Sequence, residues 1–113
     1  MSFKTLPLIA VAIATAISAH AAWSERLSVV DHVVPIQDFI YASTPIRPRI
    51  GDTVTWVNED IVPHTVTAED GDWDSGEIAP GGRWSMTLAA DTAAAYYCVF
   101  HPQMKAALPP LRP

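Results

Sequence analysis

The chain has 113 residues but only one cysteine, Cys98. It also has few basic residues, with seven lysines and arginines against twelve aspartates and glutamates. A single cysteine cannot form an internal disulfide, so this thiol is buried, reactive, bridged to another chain or bound to a metal. The shortage of basic residues argues against nucleic acid as a partner, because phosphate binding needs clustered lysines and arginines.

A long apolar run is also missing. The mostly apolar segment 6–17 has 12 residues, whereas a helix that crosses a bilayer needs about 20. The segment follows Lys4 and precedes Ala19-His20-Ala21, which is the order of a secretory signal peptide. We therefore expect residues 1–21 to be a signal peptide cleaved after Ala21, and we expect export to the periplasm without stable insertion into the membrane.

The remaining residues, 22–113, are enough for one compact domain and too few for two. Short β-rich runs separated by turn residues recur from Val29 to Val99, and no sustained helical period is present. The pattern predicts an all-β fold. We expect a two-sheet sandwich, because a single half-buried sheet would leave an apolar face in water. The candidate strands are residues 33–41, 46–50, 53–57, 64–68, 83–88 and 95–99.

Large apolar side chains of these candidate strands are expected to pack in the core. Val54 and Trp56 alternate along one strand, and Trp84 and Met86 do so along another, so each pair shares a face. We assign Trp56, Met86 and Phe39 to core packing rather than to cofactor binding.

Four potential metal donors are the most informative residues of the chain. Cys98, His101 and Met104 follow one another at intervals of three, so their side chains can converge from one short loop. His64 lies at the start of a candidate strand, and sandwiches bring such strand ends together at one pole. One thiolate, two imidazoles and one thioether form the ligand set of a blue-copper electron-transfer site.

In such a site Cys98, His64 and His101 would form a trigonal plane around copper, with Met104 as a long and weak axial ligand. Cu(I) and Cu(II) can occupy nearly the same geometry there, so little needs to move when an electron arrives or leaves. This arrangement favours electron transfer over substrate chemistry, and we predict that the protein is not an enzyme.

Other interpretations of these residues exist. His64 could be a surface histidine, His101 a core histidine and Met104 a gap filler. Zinc accepts cysteine and histidine, but a thioether is too soft to serve it well. A Cys98/His101 nucleophile would need an orienting group and an oxyanion hole, and the local sequence matches no cysteine-protease signature. The acidic stretch 69–77 matches a calcium loop weakly and is most simply a solvated loop.

With these residues in view, the chain resembles the cupredoxins, most closely the amicyanin and plastocyanin-like branch of small periplasmic copper proteins. The resemblance runs from Val33 to about Lys105. It rests on residues 36–39, 51–58, 63–66, 80–82 and 97–104. It implies an eight-stranded Greek-key β-sandwich that carries single electrons between larger redox proteins. It also implies one type 1 copper ion bound by His64, Cys98, His101 and Met104, with electrons passing through the exposed edge of His101.

Three positions depart from the family pattern. Thr65 replaces an asparagine beside the first histidine ligand, so the hydrogen bonding around the site is expected to differ. Pro48 replaces an apolar strand residue and lacks a backbone donor. After Met104 the chain soon reaches Pro109 and Pro110, so the closing strand is predicted to be cut to about three residues or lost.

We expect a monomer whose redox partners, an electron donor and an electron acceptor, dock on the apolar rim around His101, including Pro102 and Pro63. The acidic stretch 69–77 would add electrostatic steering. Two other functions stay open. One is a copper carrier or sequestering protein that uses the same ligands without redox cycling. The altered C-terminal segment is the feature that supports this alternative. The other is a copper-free sandwich used for binding alone.

Overall fold

The computed structural model describes residues 1–12, 28–43 and 45–113, and within them all regular structure is β. The seven strands are β1 (Asp31–Gln37), β2 (Ile40–Tyr41), β3 (Thr53–Asn58), β4 (Thr67–Ala68), β5 (Arg83–Thr87), β6 (Ala95–Cys98) and β7 (His101–Ala107). One sheet has the order β2-β1-β3-β5 and the other the order β4-β6-β7. The predicted two-sheet, all-β fold is confirmed.

The described part of the chain contains no helix that is long and apolar enough to cross a membrane. The predicted cleavage after Ala21 lies outside the described residues, so the signal peptide stays a prediction.

The first sheet is organised around the parallel pair β1 and β3. The pair begins with Asp31 beside Thr53 and ends with Ile36 beside Asn58. Parallel strands need a long connection, and here residues 38–52 supply it. Because both strands run the same way, their starts lie at one end of the sandwich and their ends at the other. We call these two ends the poles of the sandwich.

Apolar side chains of both sheets meet in one core. Val54 and Trp56 are fully buried, as their alternation along the strand predicts. Trp56 contacts Trp84 on β5 with ring centroids 5.6 Å apart. Burial of one large apolar side chain stabilises a fold by about 1.5–3 kcal/mol. The core comprises Val34, Ile36, Tyr41, Val54, Trp56, Val66, Ile78, Leu88, Tyr96, Cys98, Met104 and Leu108.

The packing assignments were right for Trp56 and Met86 but wrong for Phe39. Met86 packs against the edge of the core. The side chain of Phe39 is 48% exposed, because the predicted strand 33–41 is interrupted at Asp38 and Phe39. Both residues adopt positive φ angles, 53° and 60°, which reverse the chain and start β2.

The predicted strand 46–50 does not form. Within the described residues, its place is taken by an extended segment with one isolated bridge, between Arg49 and Arg112. Pro48 is fully buried in this segment, and it has no N–H to donate to a ladder. The described residues therefore contain seven strands rather than the eight that the resemblance implies.

The closing hairpin keeps a shortened final strand. Strand β7 continues for three residues beyond Met104 and ends at Ala107, ahead of Pro109 and Pro110. The strand is not lost, and the part of it that follows Met104 has the predicted length of three residues, although β7 as a whole has seven. The expectation of one loop carrying three donors was wrong, because Cys98 ends β6, His101 begins β7, and only two residues form the turn between them.

Candidate metal centre

Three potential ligands meet at one pole of the sandwich. His64 is held beside Ile78 by a pair of backbone hydrogen bonds, from His64 N–H to Ile78 O at 3.2 Å and from Ile78 N–H to His64 O at 2.8 Å. Cys98 and His101 face each other across the closing hairpin. One donor atom from each of His64, Cys98 and His101 lies within 4.8 Å of the others.

The spacing of these atoms suits a single metal ion. His64 Nδ1 lies 3.7 Å from Cys98 Sγ. Bonds of about 2.0 Å to nitrogen and 2.3 Å to sulfur, at tetrahedral to trigonal angles, separate two such donors by about 3.5–3.7 Å. His64 and Cys98 are fully buried, while His101 is partly exposed. The His-Cys-His group is therefore positioned for a metal ion, and His101 is the ligand that is exposed at the surface.

Thr65 organises the surroundings of the thiol. Its backbone N–H donates to Cys98 Sγ at 3.3 Å. Its hydroxyl oxygen accepts the Val99 N–H at 2.9 Å and lies 3.0 Å from the Thr67 hydroxyl. The threonine found in place of the family asparagine thus fastens the first ligand segment to the closing hairpin with its own side chain.

The far side of the His64 ring is occupied by a carboxylate. His64 Nε2 lies 2.6 Å from Asp60 Oδ2. When Nε2–H donates to this oxygen, Nδ1 keeps its lone pair and faces Cys98, which is the tautomer that a metal ligand requires. Burial raises the pKa of Asp60, but hydrogen bonds from the Phe39 N–H, from His64 and from the Asp38 N–H outweigh it and hold the pKa below its usual value.

The same carboxylate shapes the turn between β1 and β2. Asp60 accepts the N–H groups of Asp38 at 2.6 Å and Phe39 at 3.0 Å. This turn holds Phe39 in the left-handed region, which is uncommon for a bulky residue. Its ring packs edge-on against both histidines, with centroids 5.3 Å from His64 and 4.8 Å from His101. Asp60 and Phe39 therefore hold both imidazoles from outside.

Sequence reasoning missed Asp60 and assigned Phe39 to the core. A carboxylate four residues before a candidate ligand was the available signal for Asp60. Phe39 had no comparable signal, because its position depends on a left-handed turn that neither Asp38 nor Phe39 commonly adopts.

Met104 lies inside the protein. It is 5% exposed and belongs to the same buried cluster as Cys98. Tyr97 on β6 pairs with Lys105 on β7, but the next residue, Cys98, pairs with His101. The regular pairing is therefore interrupted on β7 between His101 and Lys105. Bulges of this kind turn side chains away from regular alternation. This placement is compatible with an axial role for the thioether, which stays a proposal.

The acidic stretch 69–77 is used for local structure. Asp70 Oδ1 accepts the Asp72 N–H at 2.9 Å. Asp74 Oδ1 accepts both the Thr67 hydroxyl and the Gly76 N–H at 2.9 Å. In the part of the chain that is described, the only group of three His, Cys, Asp or Glu residues positioned to hold a metal is His64, Cys98 and His101.

Comparison with known proteins gives one consistent result. No family model matches the chain. Amicyanin from Paracoccus denitrificans is 32% identical over 80 residues, which cover 65% of this chain and 60% of that protein. The chain thus spans less than two thirds of that relative's length. Amicyanin from Paracoccus versutus is 29% identical over an alignment of 125 positions, covering 93% of this chain and 95% of that protein.

Solved structures of amicyanin variants share the fold. An oxidised methionine-to-leucine variant superposes with a TM-score of 0.58 at 28% identity, covering 66% of this chain and 76% of the variant. A methionine-to-alanine variant, solved in its Cu(I) form, gives a TM-score of 0.59 at 27% identity, covering 74% and 84%. The chain is therefore similar to amicyanin in sequence and in fold.

Proposed function

We propose that this chain carries single electrons between larger redox proteins, with one copper ion bound by His64, Cys98, His101 and Met104. The convergence of the His64, Cys98 and His101 donor atoms within 4.8 Å, in an amicyanin-like sandwich, is the observation that supports it. Copper bound by such a set would supply a one-electron Cu(II)/Cu(I) couple at the tip of the molecule. The protein itself makes and breaks no substrate bond.

The residues around the donors suit this role because contacts within the protein hold the donor side chains in place. Asp60 holds the His64 ring at 2.6 Å, and Thr65 N–H contacts the Cys98 sulfur at 3.3 Å. Phe39 restrains His101 by ring contact. Donors held in this way move little between two oxidation states, which keeps the reorganisation that accompanies electron transfer small.

The surface beside His101 is suited to transient docking. Phe39 is 48% exposed and touches His101. Val99 and Phe100, 43% and 49% exposed, form the turn that precedes His101, and Pro102 follows it. Exposed apolar patches of this kind mark protein interaction sites. We propose that electron donor and acceptor dock here and that the partly exposed His101 ring carries the electron.

The acidic stretch 69–77 would steer partners toward this surface. If it does, the electron-transfer rate with a basic redox partner falls as ionic strength rises, because salt screens the attraction. The measurement is the second-order rate constant by stopped flow over a range of salt concentrations. A rate that does not change with salt would remove steering from the proposal.

Voltammetry separates an electron carrier from a copper store. We expect the copper-loaded protein to give a reversible one-electron couple. The Met104→Leu variant is expected to keep copper and a reversible couple but to shift the potential, since the axial ligand tunes it. Slow and irreversible electron exchange in the unmodified protein would favour a copper carrier or sequestering protein instead.

We also propose that the mature protein is an exported monomer. The N-terminal sequence carries the order of a signal peptide, and Edman sequencing of protein recovered from the periplasm of a bacterial host is expected to begin at Ala22. Retention of residues 1–21 in the recovered protein would contradict the proposed cleavage. Analytical ultracentrifugation at micromolar concentration measures the oligomeric state.

A further inference from the structure

A second cleft lies at the pole opposite the metal donors. It has a volume of about 530 Å³ and is lined in part by Arg47, Arg49, Arg112, His32 and Asp52. His32 lies near the start of β1, whereas the turn that Asp60 fastens follows its end. At about 3.3 Å for each residue along the strand, the two sites are about 17 Å apart. The cleft is therefore separate from the candidate metal centre.

The backbone directs two of the arginines outward together. Arg47 and Arg49 are both exposed, and Pro48 between them is fully buried. This alternation of exposed and buried residues places both arginines on the side of the segment that faces away from the core. Segment 46–50 forms no strand, and its one bridge is to Arg112.

The third arginine is held in place by the same segment. Arg112 N–H donates to Pro48 O at 3.0 Å, and Ile50 N–H donates to Arg112 O at 3.0 Å. Its Nε and Nη2 donate to Arg47 O at 3.2 and 2.7 Å. This leaves other N–H groups of the guanidinium available at the cleft, on a side chain whose direction is already fixed.

Positive charge exceeds negative charge at this pole within the described residues. None of the three guanidinium groups has a carboxylate of the described residues within 4 Å. The Asp52 carboxylate instead accepts the N–H groups of Val30 and Arg49 at 3.2 and 2.9 Å and contacts His32 Nε2 at 2.9 Å. Three of the seven lysines and arginines of an acidic chain thus line one cleft, and their guanidinium groups form no ion pair with any residue that the structure describes.

We propose that this cleft is a binding site for a phosphate-type oxyanion. Guanidinium groups bind phosphate oxygens through paired, charge-assisted hydrogen bonds, and several of them together match a doubly charged anion. A concave surface on which positive groups outnumber negative ones, as the three arginines outnumber Asp52 here, also concentrates anions. The same chemistry is offered by free phosphate groups and by the headgroup of an anionic phospholipid, and the experiment separates these two sources.

The test uses the copper-loaded protein in low-salt buffer with two probes. The first is inorganic phosphate, followed by NMR through the amide signals of Arg49 and Arg112 and the arginine Nε–H signals. The second is sedimentation with vesicles containing phosphatidylglycerol, against vesicles of phosphatidylcholine alone. The variants are Arg47→Gln and Arg49→Gln. Arg83→Gln is the matched control, because it removes the same charge from an exposed position on β5, outside the cleft.

Saturable phosphate binding that weakens about tenfold in Arg49→Gln and is unchanged in Arg83→Gln supports a site for free phosphate groups. Vesicle binding that shows the same pattern, without saturable binding of phosphate, supports the headgroup as the source. Binding that all three variants weaken equally would reflect net charge and would overturn the site, as would absence of binding in both arms. Unchanged amide spectra elsewhere confirm that each variant is folded.

Discussion

The two poles of the sandwich contain the same small arrangement, a carboxylate that accepts two backbone N–H groups and contacts one imidazole. At the metal pole Asp60 binds the N–H groups of Asp38 and Phe39 and meets His64 Nε2. At the opposite pole Asp52 binds those of Val30 and Arg49 and meets His32 Nε2. In both places one carboxylate fastens its own turn or loop to a second, distant segment of chain.

What differs is the second nitrogen of each histidine. His64 Nδ1 lies 3.7 Å from Cys98 Sγ, whereas His32 belongs to no metal-ligand group within the described residues. A carboxylate–histidine pair by itself stabilises the fold. It contributes to a metal site only where the other ring nitrogen of the histidine lies beside a thiol, as in His64. Removing each carboxylate should therefore have different consequences at the two poles.

The largest effect is expected for Asp60→Asn. Loss of the carboxylate removes the partner that fixes the His64 tautomer, and changes of this kind reduce metal affinity by about 10–100-fold. Competition with a chelator of known copper affinity measures the change. Glu59→Gln, at the exposed neighbouring position, is the matched control, and Asp52→Asn should leave copper affinity unchanged. An affinity equal to that of the unmodified protein would show that Asp60 does not position His64.

Asp52→Asn should instead reduce stability. Hydrogen bonds from the Arg49 N–H and from His32, acting against burial, lower the Asp52 pKa from 3.8 to about 2. A carboxylate with a depressed pKa stabilises the fold above its unfolded-state pKa and loses that contribution as pH falls toward the folded-state value. The variant is therefore expected to lose about 2 kcal/mol near neutral pH.

Urea unfolding of the unmodified protein and Asp52→Asn, from pH 7 down to pH 2, measures this difference. The gap between the two should narrow as pH falls from about 4 toward 2, since the native carboxylate becomes protonated there. Asp91→Asn, at an exposed turn position, controls for the loss of a surface charge. A gap that is the same at every pH would contradict the role given to the Asp52 charge.

A smaller effect is expected for Thr65→Val. The substitution keeps the backbone contact to Cys98 but leaves the Val99 N–H without its acceptor. An unsatisfied, partly buried donor costs about 1–3 kcal/mol, and the lower end applies here because Val99 is near the surface. Thr87→Val, exposed on β5, is the matched control. Equal unfolding midpoints for the two variants would argue against a tether at Thr65.

The sequence could predict what depends on local pattern. Alternation identified β3 and β5, and the intervals between Cys98, His101 and Met104 indicated a shared site because a tight hairpin keeps close residues close. His64 required only the rule that strand ends in a sandwich gather at one pole.

Features set by special backbone geometry escaped prediction. The break after Gln37 requires two consecutive left-handed residues, neither of them glycine, and Asp60 stabilises this turn from a distant segment. Asp52 and Asp60 each bind a segment about 20 residues away, so no local sequence motif indicates these contacts. The missing strand at 46–50 has a local cause, since Pro48 has no N–H to donate to a sheet.

Titration of the metal-free mature protein with Cu(II), followed by visible absorption, tests the proposed copper site. One equivalent of copper is expected to produce an intense blue band from thiolate-to-copper charge transfer, and Cys98→Ser should bind without that band. A colourless product, or the same spectrum from Cys98→Ser, would contradict a copper centre built on Cys98.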